Sequence, residues 1–170
     1  MLNVFRKSAG RRKHAESLCS ALMTSARAPE FFGFFGVADT IDGRFDLVTL
    51  HAWLVLKRLE AQGARDLAQD VTDQLFIGFD EALRDLGVGD LGIGPRMKKF
   101  ANAFYGRLQA YSAAANESEL ADAMLRNVYR GGAENAEHAS KLAAYAWKAR
   151  TQLDGVDLLK EPPNFGVPLL

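Results

Sequence analysis

One stretch of the sequence restricts the possible folds more than any other. Between residues 47 and 56 every side chain is apolar except those of Thr49 and His51. A helix that is apolar on nearly all sides is usually buried inside a protein. Ten such residues are too few to cross a bilayer, which takes about 20. The segment 39–59 therefore predicts the central helix of a globular domain, with other helices packed around it.

A row of three polar residues interrupts this helix. Arg44, His51 and Arg58 follow one another at intervals of seven, which places them within about 40° of one another around a helix. In one interpretation the two arginines mark the solvated ends of the helix, and His51 is a hydrogen-bonded residue of the core. In the other interpretation the row lines a binding groove.

The composition agrees with a single domain and restricts the partners. A chain of 170 residues, 48% of them hydrophobic and 25% charged, can bury a substantial core. The formal net charge of zero argues against a DNA-binding protein. The single cysteine, Cys19, excludes an internal disulfide and a cysteine metal site. A basic N-terminal arm predicts either a solvated tail or a contact to RNA or an anionic membrane. Its basic residues are Arg6, Lys7, Arg11, Arg12 and Lys13.

Helical periodicity continues through the rest of the chain. Apolar residues at helical spacing predict five further helices, over about 11–27, 65–86, 95–115, 116–130 and 134–153. The connections between them are short, so neighbouring helices should pack antiparallel. The predicted fold is therefore all-α, a single-domain bundle of about six helices. Residues 1–10 would form the basic arm, 11–153 the helical domain, and 154–170 a proline-containing tail that is extended or mobile.

A glycine-rich segment over residues 87–94 contains the pattern GxGxxG. This pattern is typical of dinucleotide binding when it joins a strand to a helix. Here it follows a predicted helix, and the sequence shows no strand pattern. We therefore interpret Gly87 as a helix stop followed by a tight turn, with Pro95 at the first position of the next helix. Asp90 lies in this turn, where a partner can reach it.

Three further surfaces are candidates for binding. A cluster of phenylalanines either plugs one end of the bundle or forms an exposed aromatic patch, and its members are Phe31, Phe32, Phe34 and Phe35. The helix over 65–86 has an acidic face, which is either solvated or meets the basic arm. The helix over 95–115 has a basic face that includes Arg96, Lys99 and Arg107.

The residue types that enzymes use are not arranged for catalysis. His14, His51 and His138 lack metal-ligand spacing, and no serine lies in a Gly-x-Ser-x-Gly turn. Cys19 has no evident base beside it. We therefore predict a binding protein without a cofactor rather than an enzyme.

Two blocks of sequence resemble a known family. The first is Ala28-Pro29…Phe31…Gly36-Val37-x-Asp39-Thr40-x-x-Gly43-Arg44-Phe45-Asp46-x-x-x-Leu50-His51-x-x-Leu54-x-x-x-Arg58-Leu59. The second is Leu83-Arg84-x-Leu86-Gly87-Val88-Gly89-Asp90-Leu91, followed by Met97-Lys98-Lys99…Phe104-Tyr105-Gly106-Arg107…Tyr111. In these residues the chain resembles the ubiquinol–cytochrome c chaperone family, over roughly residues 15 to 150. Ala38 stands where the family pattern has proline.

This resemblance implies a non-enzymatic assembly factor that binds newly made cytochrome b during biogenesis of the respiratory ubiquinol–cytochrome c reductase. It also implies a small partner subunit and the ribosome as partners, as in mitochondrial relatives. The short N-terminus resembles bacterial members, so we expect a cytoplasmic protein, peripheral at the inner face of the inner membrane. A mitochondrial matrix protein is the alternative location. The competing function is a ribosome- or membrane-surface adaptor that binds through the basic arm and the basic helix face.

A receptor for such a client needs an exposed apolar surface and complementary charge. The sequence offers both in the surfaces described above. The candidate partner-binding residues are Phe31, Phe32, Phe34, Phe35, Arg44, His51, Arg58, Asp90, Lys98, Lys99, Arg107 and Tyr111.

Overall fold

Seven α-helices and one 3-10 turn make up the secondary structure of the residues that the structure describes. The computed structural model describes residues 2–166 and 168, and of residues 2–8 the backbone alone. The helices are α1 (Leu2–Ser25), α2 (Glu30–Gly33), α3 (Ile41–Ala61), α4 (Arg65–Asp85), α5 (Asp90–Ala113), α6 (Glu117–Asn127) and α7 (Ala136–Leu153). The 3-10 turn Ala133–Asn135 leads into α7. No strand occurs in this part of the chain, and the predicted all-α, single-domain bundle is confirmed.

Helix α3 lies at the centre of the bundle, as the sequence predicts. It contacts α1, α4, α5 and α7. Every residue from 45 to 55 is buried, so the apolar run does fill the core. The core face of α1 is also confirmed, because the apolar residues at helical spacing are buried in the structure: Ala15, Leu18, Cys19, Leu22 and Ala26.

Asp42-Gly43 is a residue pair that often forms a turn, yet it lies here at the start of α3. Both residues lie in the first turn of the helix, which Thr40 caps by accepting a hydrogen bond from the Gly43 amide at 3.1 Å. A Cβ on Gly43 would stand 1.9 Å from the carbonyl oxygen of Ala38. Glycine is therefore required here because two backbone segments approach closely, not because the chain turns.

The glycine-rich segment is a shorter break than predicted. Gly87 ends α4 with a φ of 78°, and the amide of Val88 bonds back to the carbonyl of Leu83, so the predicted helix stop is confirmed. Helix α5 nevertheless begins at Asp90, and Pro95 lies inside it rather than at its first position. The prediction is wrong because the φ fixed by proline also fits a helix, and its missing N–H removes one bond near the helix start.

The first helix begins earlier in the chain than the sequence predicts. Helix α1 begins at Leu2, so the backbone of the basic arm continues the helix that the sequence places from about residue 11. The side chains of Arg6 and Lys7 lie outside the described residues. Side chains of the arm are described from position 9 onward.

The C-terminal tail is packed on the bundle rather than mobile. Leu158 is fully buried and Phe165 is nearly so. The guanidinium of Arg58 donates to the carbonyl of Val156 at 2.8 Å, and the Gln62 side chain accepts a bond from the Leu158 amide. We call residues 154–166 the C-terminal strap. Its prolines and lack of periodicity suggested mobility, whereas its two buried apolar side chains hold it to the core.

Candidate functional site

A groove opens at one end of the bundle, where α1 and α4 end and α3 begins. Its volume is about 440 Å³, which lies in the range of ligand sites. Phe100 of α5 completes the lining. The apolar walls are formed by Met23, Ala26, Ile41, Val48, Leu83 and Leu86.

Three phenylalanines from three different helices form the floor of the groove. The rings of Phe45 and Phe100 stack with their centroids 5.0 Å apart. Phe79 packs against both, at 5.4 Å from Phe45 and 5.9 Å from Phe100. Tilted and offset aromatic contacts of this kind stabilise each other beyond simple burial. The floor is therefore a fixed surface that joins α3, α4 and α5.

The rim of the groove combines exposed apolar side chains with charges. Ile41 and Leu86 are 55% and 57% exposed, which is high for large apolar residues. Arg27 and Arg44 contribute cations on the α1 and α3 sides, and Asp85 contributes an acid at the end of α4. The rim can therefore contact both the apolar and the polar parts of a bound segment.

Gly78 leaves the α4 wall of the groove open. A Cβ built on this residue would meet no heavy atom within 4 Å. The glycine is helical and not strained, so any other side chain here would extend into the groove. Open space beside an aromatic floor can accept apolar side chains.

A buried ionic cluster lies close to this floor. Asp46 is fully buried, and its carboxylate contacts Arg107 of α5 at 2.7 Å and Arg130 at 2.9 Å. Burial raises the pKa of the Asp46 carboxyl to about 6, because desolvation outweighs the attraction of the two arginines. The Arg107 guanidinium also lies 5.3 Å from the centre of the Phe45 ring, so the cluster holds the floor in place. The sequence places Arg107 on a basic surface, and this prediction is wrong because Arg107 pairs with the buried Asp46 and its side chain is only 13% exposed.

His51 is a core residue, which agrees with the structural interpretation of the polar row. Its Nδ1 lies 2.8 Å from the carbonyl oxygen of Leu47, so Nδ1 carries the proton and donates. Its Nε2 then accepts from the Tyr145 hydroxyl at 2.8 Å. Burial lowers the pKa of His51 to about 4. The row is not a binding stripe, because Arg44 stands on the groove rim and Arg58 holds the C-terminal strap.

The phenylalanine cluster divides between core and surface. Phe31 and Phe35 are fully buried, so as partner-binding residues they are a wrong prediction. Phe32 is half-buried beneath the guanidinium of Arg44, which lies 5.5 Å from the ring centre. Phe34 is 43% exposed, with the Lys141 ammonium 5.0 Å from its ring. Successive residues of a helix point in directions about 100° apart, so the four rings in and after the short helix α2 cannot all face the same side.

The remaining candidates lie apart from the groove lining. Tyr111 is fully buried against the core, so its prediction as a binding residue is wrong. Asp90 is exposed and ion-paired with Arg84 at 2.7 Å. Lys98 and Lys99 are exposed on α5. These three exposed residues stay predictions as partner contacts.

The acidic face of α4 meets the N-terminal region, as one of the two interpretations proposed. The Arg11 guanidinium donates to the carboxylates of Asp70 and Asp66. This contact joins the start of α4 to α1 and neutralises carboxylates that would otherwise face water. The contact is confirmed for Arg11, the arm residue whose side chain is described here as ion-paired.

Sequence reasoning missed the groove and the acid that supports it. The groove draws its lining from the ends of three helices, and Gly78 carries no local signal of its role. Asp46 had a signal: it lies in the apolar run of the central helix, where an acid needs a buried partner. Ile41 and Leu86 had no such signal, because each continues the apolar row of its helix at helical spacing.

Two classes of site are not formed by the described residues. No three His, Cys, Asp or Glu side chains among them come close enough to hold a metal ion. None of the helices that they form is both long and apolar enough to traverse a lipid bilayer.

The fold and the groove define a helical binding domain, and comparisons with known proteins identify its family. The chain belongs to the ubiquinol-cytochrome C chaperone family, whose model matches residues 34–159. A relative from Xenopus laevis, ubiquinol-cytochrome-c reductase complex assembly factor 1, is 23% identical over 137 residues, covering 76% of this chain and 68% of that protein. The crystal structure of the Cbp3 homolog from Brucella abortus superposes with a TM-score of 0.83 at 33% identity, covering 98% of this chain and 97% of that one.

These comparisons confirm the resemblance seen in the sequence. The chain is a chaperone of the ubiquinol–cytochrome c reductase assembly-factor type, with the all-α fold of its structural relative. The structure adds a physical link between the two sequence blocks that carried the resemblance. Asp46 of the first block and Arg107 of the second form the buried ion pair near the groove floor.

Proposed function

We propose that this protein shields an apolar segment of newly made cytochrome b in the groove until that client joins the reductase. The observation that carries the proposal is the aromatic floor beside the exposed side chains of Ile41 and Leu86. Apolar surface of this kind on a soluble domain usually marks an interaction site. The identity of the client comes from the family, and the groove supplies a site with matching chemistry.

The size of the groove suits a temporary complex. Each leucine-sized side chain that it buries contributes about 1.5–3 kcal/mol. Association costs about 4 kcal/mol or more in lost translational and rotational freedom. A volume of about 440 Å³ holds only a few such side chains, so the net affinity is modest. A modest affinity allows the client to leave once its partner subunits compete for the same apolar surface.

A substitution that fills the groove tests the proposal directly. Gly78→Leu places a side chain in the open space beside the floor and improves the helix propensity of α4. Gly10→Leu is the matched control, because Gly10 is also a helical glycine with open space around it but lies outside the groove. The tagged full chain is used to purify cytochrome b from detergent-solubilised membranes of its host. We expect at least tenfold less cytochrome b with Gly78→Leu and wild-type recovery with Gly10→Leu.

Two outcomes would overturn parts of this proposal. Equal recovery with the filled groove, at an unchanged melting temperature, would remove the groove as the client site. Failure of the wild-type chain to recover any cytochrome b would remove the client itself. A photo-crosslinking residue at Ile41 should label cytochrome b, whereas the same residue at Leu159, which is exposed outside the groove, should not.

The cellular setting belongs to the same proposal. We place the protein at the inner face of the bacterial inner membrane, where cytochrome b is inserted. A small partner subunit and the ribosome are the further partners that the family resemblance implies. Recovery of either one with the tagged wild-type chain, and loss of the reductase on deletion of the gene, would support this setting. A reductase that assembles normally without the protein would contradict it.

A further inference from the structure

Helix α5 has an unusual distribution of charge. It carries four cations and a single acid in 24 residues. The acid, Asp90, pairs with Arg84 of α4, and the cation Arg107 is taken up by the buried carboxylate of Asp46. The other three cations stand near the start of the helix and have no acid of α5 beside them.

These three cations are exposed and unpaired among the described residues. Arg96, Lys98 and Lys99 form no ion pair with any carboxylate in that part of the chain. Two lysines on other helices form local pairs, Lys57 with Glu60 and Lys141 with Glu137, whereas Lys148 on α7 forms none among the described residues. Lys98 and Lys99, about 100° apart around α5, therefore form a positive surface whose charge is available to an external anion, whereas Arg96 lies about 160° from Lys98 on the other side of the helix.

Apolar side chains share this surface. Leu91, Lys98 and Tyr105 follow one another at intervals of seven, which places them within about 40° of one another around α5. Leu91 is 98% exposed and Tyr105 is 54% exposed. The opposite side of the helix faces the core through Phe104, which is fully buried. We call this row of three, together with Lys99, the outer face of α5.

We propose that the outer face of α5 docks on an anionic lipid bilayer. Lysines near a bilayer are attracted by anionic headgroups, and their long stems let them reach the headgroups while apolar neighbours insert. A tyrosine suits the interface because one end is apolar and the other is wet. A leucine held almost wholly in water on the same face as Lys98 has no use in binding RNA, where stacking and phosphate contacts dominate. The combination of unpaired lysines with an exposed leucine therefore favours lipid.

The position of this face relates it to the groove. Phe100, which follows Lys99 directly, lines the groove from the inner side of the same helix. A molecule that lies on a bilayer through α5 would therefore hold its groove beside the membrane surface. This inference does not depend on the identity of the client, because it is carried by side chains outside the groove.

Sedimentation with lipid vesicles tests the proposal. The full chain is mixed with vesicles of phosphatidylcholine alone or of phosphatidylcholine with phosphatidylglycerol, at low and at physiological salt. We expect binding to the anionic vesicles only, weakened by salt. Lys98→Gln with Lys99→Gln should lower the partition coefficient about thirtyfold, and Leu91→Ser about tenfold. Lys148→Gln, at an exposed lysine on α7, is the charge-matched control and should bind as the wild type does.

Each alternative result has a definite meaning. Equal binding to both vesicle types, or wild-type binding by the double lysine variant, would overturn the proposal. Salt-sensitive retention on single-stranded RNA without any binding to vesicles would assign the face to nucleic acid instead. The Gly78→Leu variant should bind vesicles as the wild type does. A loss of client capture with intact vesicle binding therefore separates the groove from the outer face of α5.

Discussion

The neutral state of His51 gives a sharp test of how the core is built. Its Nδ1–H donates to the Leu47 carbonyl, and its Nε2 accepts the proton of the Tyr145 hydroxyl. A second proton on Nε2 would displace that donor among the surrounding rings of Phe31 and Phe165. Burial accordingly lowers the pKa of His51 from 6.5 to about 4. The folded protein therefore excludes a proton that the unfolded chain binds.

The consequence for stability has a definite sign and size. Between pH 6.5 and about 4, unfolding takes up a proton at His51, so acidification favours the unfolded state. Above pH 6.5 this contribution does not change. The pKa difference corresponds to about 3 kcal/mol of unfolding free energy lost by pH 4. Asp46 acts in the opposite sense between pH 4 and 6, because its pKa is raised to about 6 and ionisation of the buried carboxyl is unfavourable. The effect of His51 must therefore be isolated by comparison with a variant.

His51→Phe is that variant, compared with the wild type by urea unfolding from about pH 7.5 to about pH 4. At the higher pH it should be less stable by about 1–3 kcal/mol, because the buried Tyr145 hydroxyl loses its partner. The deficit should shrink as the pH falls and change sign near the acid end. Adding Tyr145→Phe should restore most of the loss at pH 7.5, since neither polar group then remains. A stability difference that stays constant over this range would refute the assigned protonation state.

Three further predictions address the fold. Gly43→Ala should lower the unfolding free energy by about 3 kcal/mol or more, because its Cβ meets a backbone oxygen, whereas Gly106→Ala, in open space, should be neutral or stabilising by thermal melting. Phe165→Ala should cost about 3 kcal/mol in urea if the C-terminal strap is packed as described, and Phe34→Ala, at an exposed ring, far less. The Asp46 carboxyl should titrate near pH 6 in carbon-detected NMR, and an ordinary value near 4 would contradict its burial.

The central helix and the core faces could be predicted because their causes are local. The apolar run of α3 leaves no polar face to solvate, so burial follows from the sequence itself. Asn116 caps α6 by accepting a hydrogen bond from the Glu119 amide, and a cap of this kind needs only two residues three positions apart. Each of these features is decided within one helix or its first turn.

The groove and the strap could not be predicted, because distant residues create them. The floor joins Phe45, Phe79 and Phe100, and nothing near any one of them in sequence specifies the other two. The strap has no periodic pattern, and its order depends on hydrogen bonds from Arg58 and Gln62 of α3. Loops and tails are ordered by such long-range contacts, and composition alone does not contain them.

Residue type alone does not show which side chains of α5 are buried and which are exposed. Arg107 and Lys99 look alike as members of a basic helix face, yet Arg107 is drawn to a carboxylate on another helix. Tyr111 and Tyr105 differ in the same way, since Tyr111 is fully buried and Tyr105 is 54% exposed. Both distinctions depend on which side of α5 faces the other helices.

The ionic cluster around Asp46 also bears on the order in which the chain folds. Its carboxylate lies on α3, whereas its arginine partners lie on α5 and in the turn before α7, far along the chain. Contacts between such distant segments carry a loop-closure cost and should form after the local helices have appeared. Interactions that are absent from the transition state slow unfolding and leave the folding rate nearly unchanged. We therefore expect the cluster to govern the lifetime of the folded state, and with it the time for which one molecule keeps its groove intact.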